Sequence, residues 1–102
     1  MKLAKNITAK KLKDYGFHYV ENGTYRYYSS MYKSNNKTVI YAYFYVNMDE
    51  NYFSYEIQSS GTTYYPYYHK DHKSVVNEII SMNISKEIQN LIKKGILEDE
   101  DD

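Results

Sequence analysis

A chain of 102 residues with 13 basic and 13 acidic side chains carries no formal net charge, and at 42% hydrophobic and 25% charged residues it reads as one water-soluble domain with an ordinary core. With no cysteine it can hold no disulfide, thiolate zinc site, iron–sulfur cluster or cysteine nucleophile. Apolar runs of only a few residues exclude a membrane-spanning helix, and the first 13 residues lack the apolar stretch of a signal peptide, so the expected compartment is the cytoplasm.

The charge is unevenly spread. Lys2, Lys5, Lys10, Lys11 and Lys13 meet no acid in the first 13 residues, whereas residues 98–102 are all acidic. A run of like charges stays solvated, so the expected layout is a domain over 1–97 and a disordered acidic tail over 98–102.

The first element is a short helix over 9–15. Thr8 is a good N-cap, Gly16 a good C-terminal cap, and Ile7 and Leu12 have the spacing of a hydrophobic staple. Strands over 17–21 and 24–33 flank Asn22-Gly23, a pair suited to the positive φ angles of a type I′ turn. A polar loop leads to a strand over 38–47 rich in β-branched and aromatic residues. Residues 48–51 turn the chain into a strand over 52–58, and 59–61 turn it again. Residues 62–68 contain Pro66, which removes an amide donor and allows only an edge strand or extended segment.

After Tyr68 the period lengthens. Val75, Val76, Ile79, Ile80, Ile84, Ile88, Leu91 and Ile92 recur at steps of three and four, as on one helix face, which predicts a helix over 72–94. Asp71 is its expected N-cap and Gly95 its stop, and Asn83 and Ser85 allow a break. The fold expected is α+β: an antiparallel β-meander of four to five strands, a short N-terminal helix, and a long C-terminal helix, continuous or broken, packed on one face.

Alternation sorts the strand side chains. Ile40, Ala42, Phe44 and Val46 share one face of the 38–47 strand, which belongs in the core; Tyr41, Tyr43 and Tyr45 share the other. In 52–58 the apolar set is Phe53, Tyr55 and Ile57, opposite Tyr52, Ser54, Glu56 and Gln58. With Tyr25, Tyr27 and Met31 inward, Arg26, Tyr28 and Tyr32 join the Tyr41 side. One helical layer cannot cover both faces of a sheet. The outer face is therefore expected to carry Tyr28, Tyr32, Tyr41, Tyr43, Tyr45 and Tyr52. Such a stripe pairs across strands, and it also suits recognition, since tyrosine joins a rigid ring to a hydrogen-bonding tip.

Motifs of chemistry are sparse. His69 and His72, with Asp71 or His18, have a spacing that a metal could use, but Lys70 and Lys73 interleave and no HExxH pattern is present. No glycine-rich phosphate loop or nucleophile elbow occurs, and Glu21, Asp49, Glu50 and Glu56 are scattered over turns and strands. No enzyme activity, metal or cofactor is therefore expected.

Residues 7–17, the segment Gly61-Thr62-Thr63-Tyr64-Tyr65-Pro66-Tyr67-Tyr68 and the ending 91–97 resemble small uncharacterised proteins of low-GC Gram-positive bacteria and their phages. The resemblance implies a phage or mobile-element accessory protein that acts by binding. The expected function is a non-enzymatic interaction module with a protein partner, or a second copy of itself, on the tyrosine face. The alternative is stacking of single-stranded nucleic acid on the same rings.

Overall fold

The computed structural model describes residues 2–35, 38–68 and 74–99. Chain order is β1 (Lys2–Leu3), α1 (Ala9–Tyr15), β2 (His18–Glu21), β3 (Thr24–Lys33), β4 (Val39–Asn47), β5 (Tyr52–Ser59), β6 (Thr62–Thr63), α2 (Tyr65–Tyr68), α3 (Val75–Lys93) and β7 (Leu97–Glu98). Strands β2 to β6 form an antiparallel sheet in sequence order, the expected meander, and the helices lie against one side of it.

The turns follow their residues. Asn22 and Gly23 have φ of 48° and 79°, and Ser60 and Gly61 have 52° and 80°, as two-residue hairpins require. A Cβ at Gly23 would lie 2.4 Å from the Asp49 carboxylate, so a side chain there would also have to displace exposed Asp49. Buried Asn47 ties the two neighbouring turns together. Its Nδ2 donates to the Asn22 carbonyl at 3.1 Å and to Thr24 Oγ1 at 3.0 Å, while its Oδ1 accepts from the Glu50 amide at 2.7 Å.

Both long-range helices are capped by the local chain. Thr8 Oγ1 accepts from the Lys11 amide, and Phe17 and Gly16 amides return to the Leu12 and Lys13 carbonyls beyond the end of α1. The same pattern closes α3, where Ile96 donates to Leu91 and Gly95 to Ile92. The N-cap of α3 is Ser74, whose Oγ accepts from the Asn77 amide at 3.2 Å; Asp71 lies outside the described residues. The helix runs unbroken through Asn83 and Ser85. Asn83 does not bond to its own backbone; its amide donates to the Met31 carbonyl at 2.7 Å.

The core matches the alternation in β4. Ile40, Ala42, Phe44 and Val46 are buried, together with Leu12, Phe17, Ile57, Ile80, Ile84 and Leu91. Phe44 stacks on Tyr27 at 6.0 Å and on Phe53 at 6.1 Å, so one aromatic row crosses three strands. Among the described residues no helix is long and apolar enough to cross a membrane.

Three expectations are corrected. The 62–68 segment divides into the edge strand β6 and the helical turn α2, because the fixed φ of Pro66 suits the first turn of a helix. Met31 is one extra residue in β3: Ser30 pairs with Tyr41, but Tyr32 pairs with Ile40. This bulge turns Tyr32 from the outer face to the core side, where it packs against the buried cluster. Lastly, the acidic end is not wholly a tail. β7 pairs with β1, Leu97 facing Leu3 and Glu98 facing Lys2, with Leu3, Ile96 and Leu97 buried and Lys2 Nζ 3.6 Å from Glu98 Oε2. The boundary at 97 therefore cuts through a strand; the rest of the acidic run, residues 100–102, lies outside the described residues.

Two stability outcomes follow, both measured by chemical denaturation. Phe44→Ala costs about 3–5 kcal/mol through the cavity it leaves, whereas Tyr43→Ala, on the opposite face, loses two ring contacts and costs less, about 1–2 kcal/mol. Ending the chain after Leu97 removes the Glu98 pairing and its ion pair with Lys2 and costs about 1–2 kcal/mol, whereas Leu97→Ala costs about 2–5 kcal/mol.

Candidate functional site

The outer face of the sheet takes one side chain in two from β3, β4 and β5. Register places Arg26, Tyr45 and Ser54 in one row, Tyr28, Tyr43 and Glu56 in the next, and Ser30, Tyr41 and Gln58 in a third. Tyr28, Tyr41 and Tyr43 pack on one another. Tyr28 is stacked on Tyr43 at 5.4 Å and meets Tyr41 edge-on at 5.7 Å, and Tyr41 and Tyr43 lie 6.3 Å apart. Each ring pair contributes about 0.5–1.5 kcal/mol beyond burial, so the rings are held in place before anything binds.

Charged groups frame the rings. The Arg26 guanidinium sits 5.6 Å from the centre of the Tyr43 ring, and Arg26 lies directly opposite Tyr45 in the register. Burial raises the Tyr45 phenol above its ordinary value, the Glu56 charge adds to the rise, and Arg26 opposes it. Glu56, beside Tyr43, accepts from Thr63 Oγ1 at 2.6 Å and from Gln58 Nε2 at 3.1 Å. The face thus carries a fixed cation and a fixed anion on opposite flanks of β4.

Of the six tyrosines expected on this face, Tyr28, Tyr41, Tyr43 and Tyr45 are brought together there. Tyr52 lies at its end, opposite Asn47, and is 42% exposed. Tyr32 is on the other side, for the reason given above. Tyr28 is the most open of the ring cluster, at 54% exposure, and the buried apolar helical side chains Leu12, Ile80, Ile84 and Leu91 belong to the core on the opposite face. His69 and His72 lie outside the described residues, and His18 pairs with Arg26 at the sheet edge. Among the described residues no three His, Asp or Glu side chains gather as a metal site would need.

A second polar cluster lies on the helical side and was missed in the sequence. The Tyr15 hydroxyl donates to Glu87 and accepts from Asn90 Nδ2, the latter at 2.9 Å. Burial lifts the Tyr15 phenol well above its ordinary value of 10, and the bond to Glu87 adds to the rise. Tyr27, edge-on to Tyr15 at 5.2 Å, is raised by burial and then by the Glu87 charge. The signal lies in the polar spacing of residues 83, 87, 90 and 94 along α3.

Comparison with protein-family models and with curated proteins gives no match. Among solved structures the chain is similar to the crystal structure of a DUF1831 family protein from Lactobacillus plantarum, with a TM-score of 0.65 at 15% identity, over 92% of this chain and 81% of that one. At that identity the likeness is one of fold. It shows that the α+β arrangement, five strands in a meander under a long C-terminal helix, is built by a very different sequence.

The raised Tyr15 phenol has a signed consequence. Its neutral form is favoured in the folded state, so its contribution to stability is complete below about pH 10 and is lost as pH climbs toward the folded value. Alkaline unfolding curves of the native chain and Tyr15→Phe are expected to differ, with the variant losing stability less steeply above pH 10. Absorbance titration at 295 nm is expected to lack the latest ionisation step in that variant.

Proposed function

We propose that the chain is a non-enzymatic interaction module that binds a protein partner through the outer face of its sheet. The observation that carries this reading is a pre-packed cluster of Tyr28, Tyr41 and Tyr43 on a face that the chain's own helices leave open. Ordered rings lose little entropy on binding, and their hydroxyl tips can pair with a partner's backbone. Arg26 and Glu56 offer both signs of charge, as a mixed protein surface would match. An accessory role of the phage or mobile-element kind is consistent with a chain that acts by binding alone.

Nucleic acid is the weaker reading. A phosphate backbone placed on these rings would meet Glu56 beside Tyr43, with Arg26 as the only arginine in the chain.

Affinity capture from the source organism, comparing the native chain with Tyr28→Ser/Tyr43→Ser, tests the proposal. The variant is expected to fold and to bind the captured partner at least about 30-fold more weakly, the loss of more than one aromatic anchor. Equal capture by both chains overturns it. A mixed-sequence single strand is expected to bind no tighter than about 100 μM at physiological salt. Micromolar binding that falls steeply with salt, and is lost when Tyr41, Tyr43 and Tyr45 become Ala, transfers the face to nucleic acid.

A further inference from the structure

The polar stripe of α3 borders a groove that neither the core nor the tyrosine face uses. Asn83, Glu87, Asn90 and Lys94 recur at steps of four, three and four, so they form one ridge beside the buried Ile80, Ile84 and Leu91. The ridge looks onto the core side of β3. Two adjoining hollows, of about 530 and 460 Å³, share Glu87 and Asn90 as their common wall. The larger is closed at one side by α1, with Lys11 and Tyr15, and floored by Tyr27. Its volume is that of small-ligand sites in general.

Unused bonding capacity in this hollow is polarised. Glu87 takes the Tyr15 hydroxyl on Oε2, and its Oε1 accepts no hydrogen bond among the described residues. Lys11 and Lys94 form no ion pair among the described residues. Lys11 Nζ lies beside Gly95, only 3.5 Å from where a Cβ there would sit, and Lys94, the C-cap of α3, lines the same hollow. Glu87 lies seven residues before Lys94, roughly 10 Å along the helix axis. Between the two ends run the rings of Tyr15 and Tyr27.

The charges select the ligand class. A plain anion is opposed by Glu87 and by Asp14, which lines the same hollow. A plain cation is opposed by Lys11 and Lys94. A molecule with an ammonium at one end and a carboxylate at the other satisfies both ends. We propose that this hollow binds a free amino acid, its ammonium on Glu87 beside Tyr15 and its carboxylate directed to Lys94 and Lys11. Asn90, held by the Tyr15 hydroxyl, lies between the two ends with an amide hydrogen to spare.

Nuclear magnetic resonance titration of the full chain tests this. Individual amino acids, acetate and methylammonium are added, and the Asn90 side-chain amide and the Tyr15 and Tyr27 rings are followed. At least one amino acid is expected to shift these signals with a dissociation constant of about 1 mM or tighter, and acetate and methylammonium to bind at least about tenfold more weakly. Glu87→Gln keeps an acceptor for Tyr15, and Lys94→Met keeps the aliphatic stem. Each is expected to weaken binding at least about tenfold with the fold intact. No response to any amino acid up to about 10 mM overturns the proposal. So does acetate binding as tightly as the amino acid, or unchanged affinity in Glu87→Gln. The tyrosine-face variant Tyr28→Ser/Tyr43→Ser is expected to bind the amino acid like the native chain, so the two sites fail or stand separately.

Discussion

One helical layer can cover only one face of a sheet, and strand β4 divides its residues accordingly. Phe44 is the centre of the covered side. It contacts Tyr27 and Phe53 across the neighbouring strands and lies in the same buried cluster as Ile80, Ile84 and Leu91 of α3. A shift of one residue in β4 would exchange Phe44 for Tyr43 and bring phenol hydroxyls into an apolar layer, at the cost of unpaired polar groups. The separation of a core face from a tyrosine face is thus enforced by burial, and the open tyrosine cluster is its direct consequence.

Polar side chains fix the places where the regular pattern ends. Asn47 joins the β2–β3 and β4–β5 turns through three hydrogen bonds, so two hairpins are registered against each other at one end of the sheet. At the other end the bulge at Met31 leaves a carbonyl out of the ladder, and Asn83 of α3 donates to it. The helix is thereby pinned to β3 by a bond as well as by packing. The same helix face carries Glu87 and Asn90 into contact with Tyr15 of α1, which makes the polar groove a by-product of how the three elements meet.

The two candidate surfaces differ in physical character. The outer sheet face is broad, aromatic and ordered by ring packing, which suits a macromolecular surface. The groove sets separated charges around the Tyr15 and Tyr27 rings, which suits a small molecule. They lie on opposite sides of β3, so occupancy of one leaves the other free.

Local chemistry alone determined much of this protein. Thr8 and Gly16 delimit α1, Asn22-Gly23 makes the first hairpin, and period-two alternation in β4 separates core from surface before any contact is known. These features depend on neighbours within a few residues, so they are legible in order. The tertiary structure decided the rest. The bulge that moves Tyr32 to the core side shifts phase without any break in the β-forming sequence. Strand β7 exists only because Leu97 finds Leu3 at the far end of the chain, in a stretch whose charges read as a tail. The meeting of Tyr15 with Glu87 spans 72 positions. Each of these depends on a partner distant in sequence, and a one-dimensional pattern carries no information about which distant residues burial will bring together.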